Sequence, residues 1–202
     1  MADAWQLGAA LAGAYLLGSV PTGVLVGRLA GRDPRRAGSG NIWATNVTRT
    51  LGKTWGALTL IVDIAKGLGP AWVAYRLGGL GWGAGAGLAA TVGHCFPVWL
   101  RFRGGKGVAT AFGALAALAW PVAVLSALLW VVVAVLTRVP ALGSLAAAGA
   151  WIALAVWDNR PFEVQLLAAG LAVLVAARHQ SNLRVLKARK GPLRGRRHRS
   201  KL

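Results

Sequence analysis

Residues 108–137 read VATAFGALAALAWPVAVLSALLWVVVAVLT, thirty positions without a charged side chain. The stretch fits one long helix or two short ones broken at Trp120-Pro121, and charge decides between them. With the break, the apolar segments number seven, at roughly 4–27, 55–76, 79–97, 108–120, 122–137, 141–157 and 162–177. The segments 28–53 and 98–107, the turn at Arg138 and the tail then share one side, and they carry 20 of the 23 Lys and Arg. That side is the cytoplasm under the positive-inside rule. Without the break, either the tail or the 28–53 loop lies outside, against the rule. Proline also removes a helix hydrogen bond and suits a turn at the interface. The expected fold is all-α: a polytopic integral membrane protein of about seven transmembrane helices, N-terminus outside and C-terminus cytoplasmic.

Composition agrees. Apolar residues make up 56% and charged residues 14% of 202 positions, and the mean hydropathy is +0.55. Several apolar runs approach the ~20 residues that cross a bilayer. The length suits one domain: residues 1–185 read as a single transmembrane domain, and 186–202 as a basic cytoplasmic tail, disordered by composition. A net charge of +18 on a soluble chain points to nucleic acid. Here the basic residues cluster between and after the apolar runs, with ten in 178–202, so they read as topology and attraction to anionic headgroups. No nucleic-acid partner is expected. Cys95 is the only cysteine, which excludes an intrachain disulfide, and no metal-ligand spacing exists. The start, Met-Ala-Asp, lacks a basic n-region, so 4–27 reads as a first span rather than a cleaved signal. Small residues at Gly81, Gly83, Gly85 and Gly87 allow close helix approach. Tryptophans 5, 55, 99, 120, 151 and 157 fall near span ends, as in an aromatic belt.

Four polar groups interrupt this apolar chain. The first is Gly38-Ser39-Gly40-Asn41-Ile42-Trp43-Ala44-Thr45-Asn46-Val47, closed by Arg49. Its glycines let backbone N–H groups converge on an anion, and Arg49 can add a bidentate clamp. The second runs from Gly93-His94-Cys95 to Gly104-Gly105-Lys106-Gly107-Val108-Ala109-Thr110. It opens a helix whose N-terminal amides and dipole favour an anion, with Lys106 adding a full charge. The spacing is not that of a Walker A loop. The third, after Thr137-Arg138, is Val139-Pro140-Ala141-Leu142-Gly143-Ser144, where Ser144 is either a helix cap or a ligand. The fourth is Arg178-His179-Gln180-Ser181-Asn182, with His179 and Asn182 on one helix face. All four map to one membrane face in the seven-span arrangement. Asp63 and Lys66, i and i+3 inside the second span, read as a structural ion pair, since ionisable residues there are costly unless paired.

These blocks resemble the bacterial membrane glycerol-3-phosphate acyltransferases that draw their acyl group from acyl phosphate. The matching stretches are Gly18-Ser19-Val20-Pro21-Thr22-Gly23, Gly38 through Val47 with Arg49, Gly52-Lys53 and Asp63-Ile64-Ala65-Lys66-Gly67. Gly93-His94 with Phe96-Pro97, Gly104 through Thr110, Leu142-Gly143-Ser144, and His179 with Asn182 complete them. The resemblance spans about residues 15–185. It implies transfer of an acyl chain to the 1-hydroxyl of glycerol 3-phosphate, giving lysophosphatidic acid and inorganic phosphate in phospholipid biosynthesis. The active site would face the cytoplasm at the cell membrane. The substrates would be acyl phosphate and glycerol 3-phosphate, without a cofactor or metal, and a monomer is expected. Carried over to this chain, Ser39, Arg49, Lys106, His179 and Asn182 are the expected catalytic residues. Gly38, Gly40, Asn41, Thr45, Asn46, Gly104, Gly105, Gly107, Thr110 and Ser144 are the expected substrate and phosphate ligands. The chain departs from the family pattern at Trp43, where a small residue is usual, at Cys95, where a carboxamide is common, and in its basic tail. An indole at 43 must point to lipid or replace something.

The chemistry follows from the residues. Two phosphates need cations, and Arg49, Lys106 and Lys53 are available. Phosphate is a fair leaving group, so direct attack by the glycerol hydroxyl needs no acyl-enzyme. The proton goes to His179 or to a substrate phosphate oxygen, and the absence of a carboxylate–histidine pair in the motif segments favours the second. An organic-phosphate transporter would share the cations and glycines, but it predicts internal repeats and midplane broken helices. A membrane scaffold with a lipid- or RNA-binding tail explains the tail but not the motif groups.

Overall fold

The computed structural model describes residues 4–38 and 40–184. The basic tail 186–202 lies outside them, as does Ser39. Among the described residues the secondary structure is helical throughout: α1 Ala4–Gly18, α2 Thr22–Leu29, α3 Ala44–Leu51, α4 Lys53–Gly78, α5 Leu80–Cys95, α6 Val108–Leu118, α7 Trp120–Thr137, α8 Pro140–Trp157 and α9 Phe162–Arg178.

Each apolar segment of the sequence is helical, and two boundaries carry the argument. The run 108–137 breaks at Ala119, which has φ −150°, and Pro121 sits in the first turn of α7. A proline is tolerated there because the first N–H groups of a helix have no internal partner. The segment 4–27, expected as one helix, is divided. Pro21 has no N–H to give, the ladder stops at Ser19–Pro21, and the Val20 carbonyl is left inside the protein. The loop 28–53 also contains α3, which the apolar pattern could not show because α3 is mostly polar.

The outer surface is apolar. On α7 alone Val124, Leu128, Val131, Val135 and Leu136 are exposed, an arrangement that only lipid can cover at this density. The first segment Ala4–Leu29, α4, α7 and α8 are long and apolar enough to cross a membrane, and α6 is a shorter apolar helix. The chain is a membrane protein. Trp5, Trp99, Trp120 and Trp157 are exposed, but Trp151 is not in a belt. It is fully buried, packs edge-on against Phe112 at 5.5 Å, and donates its indole N–H to Ser126 Oγ at 3.0 Å. Its polar atom needed a partner inside lipid-facing helices, and Ser126 supplies one.

Small residues set the helix spacing. A Cβ at Gly113 of α6 would collide with the Ile64 carbonyl of α4, and one at Gly67 of α4 with the Thr110 carbonyl of α6. Gly87 of α5 faces Ala71 and Ala114 in the same way. Backbones in direct contact gain dispersion where no hydrophobic effect separates protein from lipid. Gly113→Ala should therefore lower stability by about 1–3 kcal/mol, the usual cost of overpacking. Gly149 has open space at its Cβ position. Gly149→Ala should be neutral or stabilising, and thermal unfolding of both variants in one detergent checks the contrast.

Candidate active site

Asn46, one turn into α3, decides the shape of the 34–41 loop. Its Nδ2 donates to Pro34 O at 2.9 Å, Ala37 O at 3.2 Å and Asn41 O at 2.7 Å. The side chain is buried. Gly38 has φ +62°, and a Cβ there would meet Asn46 Oδ1, so glycine is required on both counts. Asn46 thus shapes the loop through its amide hydrogens. Thr45 and Arg49 lie one turn apart on the exposed face of α3.

The second element is the loop before α6. Gly104 N–H donates to Cys95 O at 3.2 Å and Gly105 N–H to His94 O at 2.9 Å, knitting the loop to the end of α5. Arg178, the last residue of α9, closes it from the other side. Its Nε donates to Gly105 O and its Nη2 to Gly104 O, each at 3.0 Å, and its guanidinium lies over the Phe96 ring at 5.0 Å. Gly107 then turns through φ +79° to start α6. The N–H groups of Gly104 and Gly105 are therefore spent within the fold, and they cannot serve as phosphate donors there. The donors left at this end are those of the first turn of α6.

Between these elements Lys106 is held by three neighbours. Its ammonium sits 4.0 Å from the centroid of the Trp43 ring and donates to Asn182 Oδ1. Trp43 in turn meets the His179 ring edge-on at 6.3 Å. Trp43 therefore faces inward rather than toward lipid. A cleft of about 310 Å³ opens here, lined by Asn41, Trp43, Lys106, Ala177, Arg178, Gln180, Ser181 and Arg184. Burial, with the Arg178 charge adding to it, pulls the Lys106 ammonium down to about 8. Burial likewise pulls His179 down to about 4, against the opposing effect of its bond to Val175 O. That bond, 2.8 Å from Nδ1, fixes the tautomer: a carbonyl only accepts, so Nδ1 carries hydrogen and Nε2 keeps the lone pair.

Beneath the loop lies a buried charged group. Asp63 Oδ1 is 2.9 Å from Lys66 Nζ and 3.6 Å from His94 Nδ1, and all three side chains are buried. Lys66 also donates to Val20 O at 3.0 Å, the carbonyl released by the break before Pro21. The His94 ring packs where a side chain at Gly105 would project. The hydroxyls of Ser19, Thr22 and Thr110 are buried there without a hydrogen-bond partner among the described residues.

The structure thus brings Asn41, Lys106, His179 and Asn182 together around one cleft. Thr110 is buried at the start of α6. Gly40 donates its N–H to Ala37 O at 3.1 Å. Ser144, in the first turns of α8, accepts from Trp130 Nε1 and donates to Pro140 O, each at 3.1 Å. Arg178, His94 and the cleft-lining Gln180 and Ser181 lie in the polar groups read from the sequence but were not among the expected site residues, and Arg184 lies in none of those groups. Arg178 was the legible one, a cation in the last helical turn directly beside His179.

The model of the family described as glycerol-3-phosphate acyltransferase matches residues 8–189. A glycerol-3-phosphate acyltransferase of Erythrobacter litoralis is 44% identical over 181 residues, covering 88% of this chain and 89% of that protein. One from Trichlorobacter lovleyi is 49% identical over 177 residues, covering 86% and 90%. The crystal structure of PlsY (YgiH), an integral membrane glycerol 3-phosphate acyltransferase in its glycerol 3-phosphate form, superposes with a TM-score of 0.87 at 37% identity. That match covers 91% of this chain and 94% of the other.

Removing one partner of the Asp63–Lys66 pair strands a buried charge. Lys66 would lose its counter-ion in Asp63→Asn, at a cost of roughly 3–5 kcal/mol. Asp63→Asn/Lys66→Met removes both charges and should recover much of that loss. Detergent melting curves of the two variants test the pairing, and equal destabilisation would contradict it.

Proposed function

The chain belongs to the glycerol-3-phosphate acyltransferase family, and from that premise we propose that it moves an acyl chain from acyl phosphate to the 1-hydroxyl of glycerol 3-phosphate. The products are lysophosphatidic acid and inorganic phosphate. The observation that carries this reading is Lys106 held at the cleft by Trp43 and Asn182, with His179 behind. A buried ammonium facing a basic cleft suits an anion. Apart from Trp43 and Ala177, polar side chains line the cleft. It therefore fits the soluble acceptor, while the acyl chain enters sideways from the bilayer along the apolar helix faces. Residues 1–185 act as one monomeric catalytic unit of seven spans in the cell membrane, with the cleft toward the cytoplasm and the tail 186–202 dispensable for chemistry.

In this reading Lys106 and Asn182 hold the acceptor's phosphate, with Asn41 lining the same cleft. Arg49 and Thr45 serve the donor's phosphate from the exposed face of α3, and Ser39 is assigned to that phosphate by the family resemblance alone. The first-turn amides of α6, including that of Thr110, favour negative charge as the carbonyl oxygen gains it. The glycerol hydroxyl attacks the acyl carbon, the tetrahedral oxyanion collapses, and the carbon–oxygen bond to phosphate breaks. His179 at about 4 is a weak base. A phosphate oxygen, with a second pKa of about 6, is the better match for the hydroxyl proton. The proton therefore leaves with the departing phosphate, and His179 orients its surroundings through Nε2. Ser144 contributes packing of α8 on α7.

The deciding assay incubates purified protein with acyl phosphate and glycerol 3-phosphate. Inorganic phosphate should appear only with both present, and acyl-coenzyme A should not replace the donor. Intact substrates would instead indicate a carrier. Lys106 is protonated below about pH 8, so kcat/KM should fall as pH rises through that value. Lys106→Arg keeps its charge and should be slower overall but without this alkaline limb. His179→Gln should lose less than about 100-fold in kcat, the lower end of what a general base contributes. A loss of several thousand-fold with binding intact would make His179 the base.

A further inference from the structure

Trp43 is the unexpected wall of the cleft. Its ring face lies under the Lys106 ammonium at 4.0 Å, and its edge meets His179 at 6.3 Å. Its indole nitrogen is buried and has no hydrogen-bond partner among the described residues. An orphaned N–H disfavours that pose, and tryptophan normally finds a partner for it when buried. The indole is therefore held where it is by its ring contacts and not by its polar atom. The stronger of those contacts is the cation, because an ammonium over an indole face is the best of the cation–π pairs.

Lys106 needs such a support. Among the described residues its remaining polar partner is the neutral Asn182 carboxamide, and no carboxylate balances it. The nearby full charge from α9 is Arg178, of like sign, and it pushes against the ammonium. A lysine side chain has four rotatable carbons and would otherwise swing toward water. A carboxylate could hold it too, but would then compete with the phosphate. An aromatic face holds the cation without neutralising it and leaves its other side open to an anion.

We propose that Trp43 is a positioning residue for the acceptor: its indole face parks the Lys106 ammonium in the cleft so that it meets the phosphate of glycerol 3-phosphate. The proposal rests on the acyltransferase reading given above. Trp43 acts on acceptor binding, not on the acyl-transfer step or on the donor.

Steady-state kinetics of the full chain in lipid nanodiscs test it with Trp43→Leu and Trp43→Phe. Leucine removes the aromatic face and phenylalanine keeps one without the N–H. Trp43→Leu should raise KM for glycerol 3-phosphate by about tenfold, within the range of a partly desolvated cation–π contact. The KM for acyl phosphate, kcat and the melting temperature should stay near the parent values. Trp43→Phe should restore the acceptor KM to within about threefold, since a phenyl face still attracts the ammonium. An unchanged acceptor KM in Trp43→Leu would overturn the proposal while leaving the acyltransferase reading intact. So would equal acceptor KM values in the two variants, or a parallel rise in both substrates' KM with a lowered melting temperature. A parent protein that releases no phosphate from the two substrates would overturn both.

Discussion

A lysine at a membrane surface is a ligand only if the loop that carries it cannot move away. Here that constraint falls on residues 104–107, and it is met from two sides. The N–H groups of Gly104 and Gly105 are tied to the carbonyls at the end of α5, and their carbonyls are tied to Arg178 at the end of α9. Each peptide is therefore satisfied in both directions. Glycine at 104 and 105 lets this happen, because the space of a Cβ is taken by Pro97 at one position and by the His94 ring at the other. Lys106 is the first side chain after this clamp, and its direction follows from it.

The same logic extends downward. Charges inside a bilayer protein need partners, and the fold makes them from its own irregularities. Pro21 breaks the first apolar segment and releases one carbonyl, which Lys66 takes. Lys66 holds Asp63, Asp63 lies beside His94, and His94 backs Gly105. A helix break that looks like a defect thus supports the floor of the cleft three elements away. The close α4–α6 packing through Gly67 and Gly113 keeps that chain of contacts in register.

What the sequence made legible was whatever depends on composition and local chemistry. The break near Pro121 was readable because a proline is best tolerated in the first turn of a helix, and the helical character of the apolar segments because lipid leaves backbone groups no partner but the helix itself. The amino acids around Lys106, His179 and Asn182 were readable as polar groups that lipid could not cover. Direction was not readable. Asn46 has the side chain of a ligand, but its amide points into the protein and staples a loop. Ser144 satisfies itself against Trp130. Trp43 could have pointed to lipid or replaced something, and it is a wall of the cleft. Trp151 looked like part of a belt and is the centre of the core. In each case the residue type was plain, and the contacts made in the folded chain decided its role.

Lys106, Asn182 and Trp43 are the proposed seat of an anionic headgroup. The most direct test is a crystal structure of this protein soaked with glycerol 3-phosphate. The phosphate should lie in the cleft, in hydrogen-bond contact with Lys106 Nζ and on the side of the ammonium away from the Trp43 ring. Phosphate seated instead in the separate pocket between Arg28, Arg32 and Arg35, with the cleft empty, would contradict it.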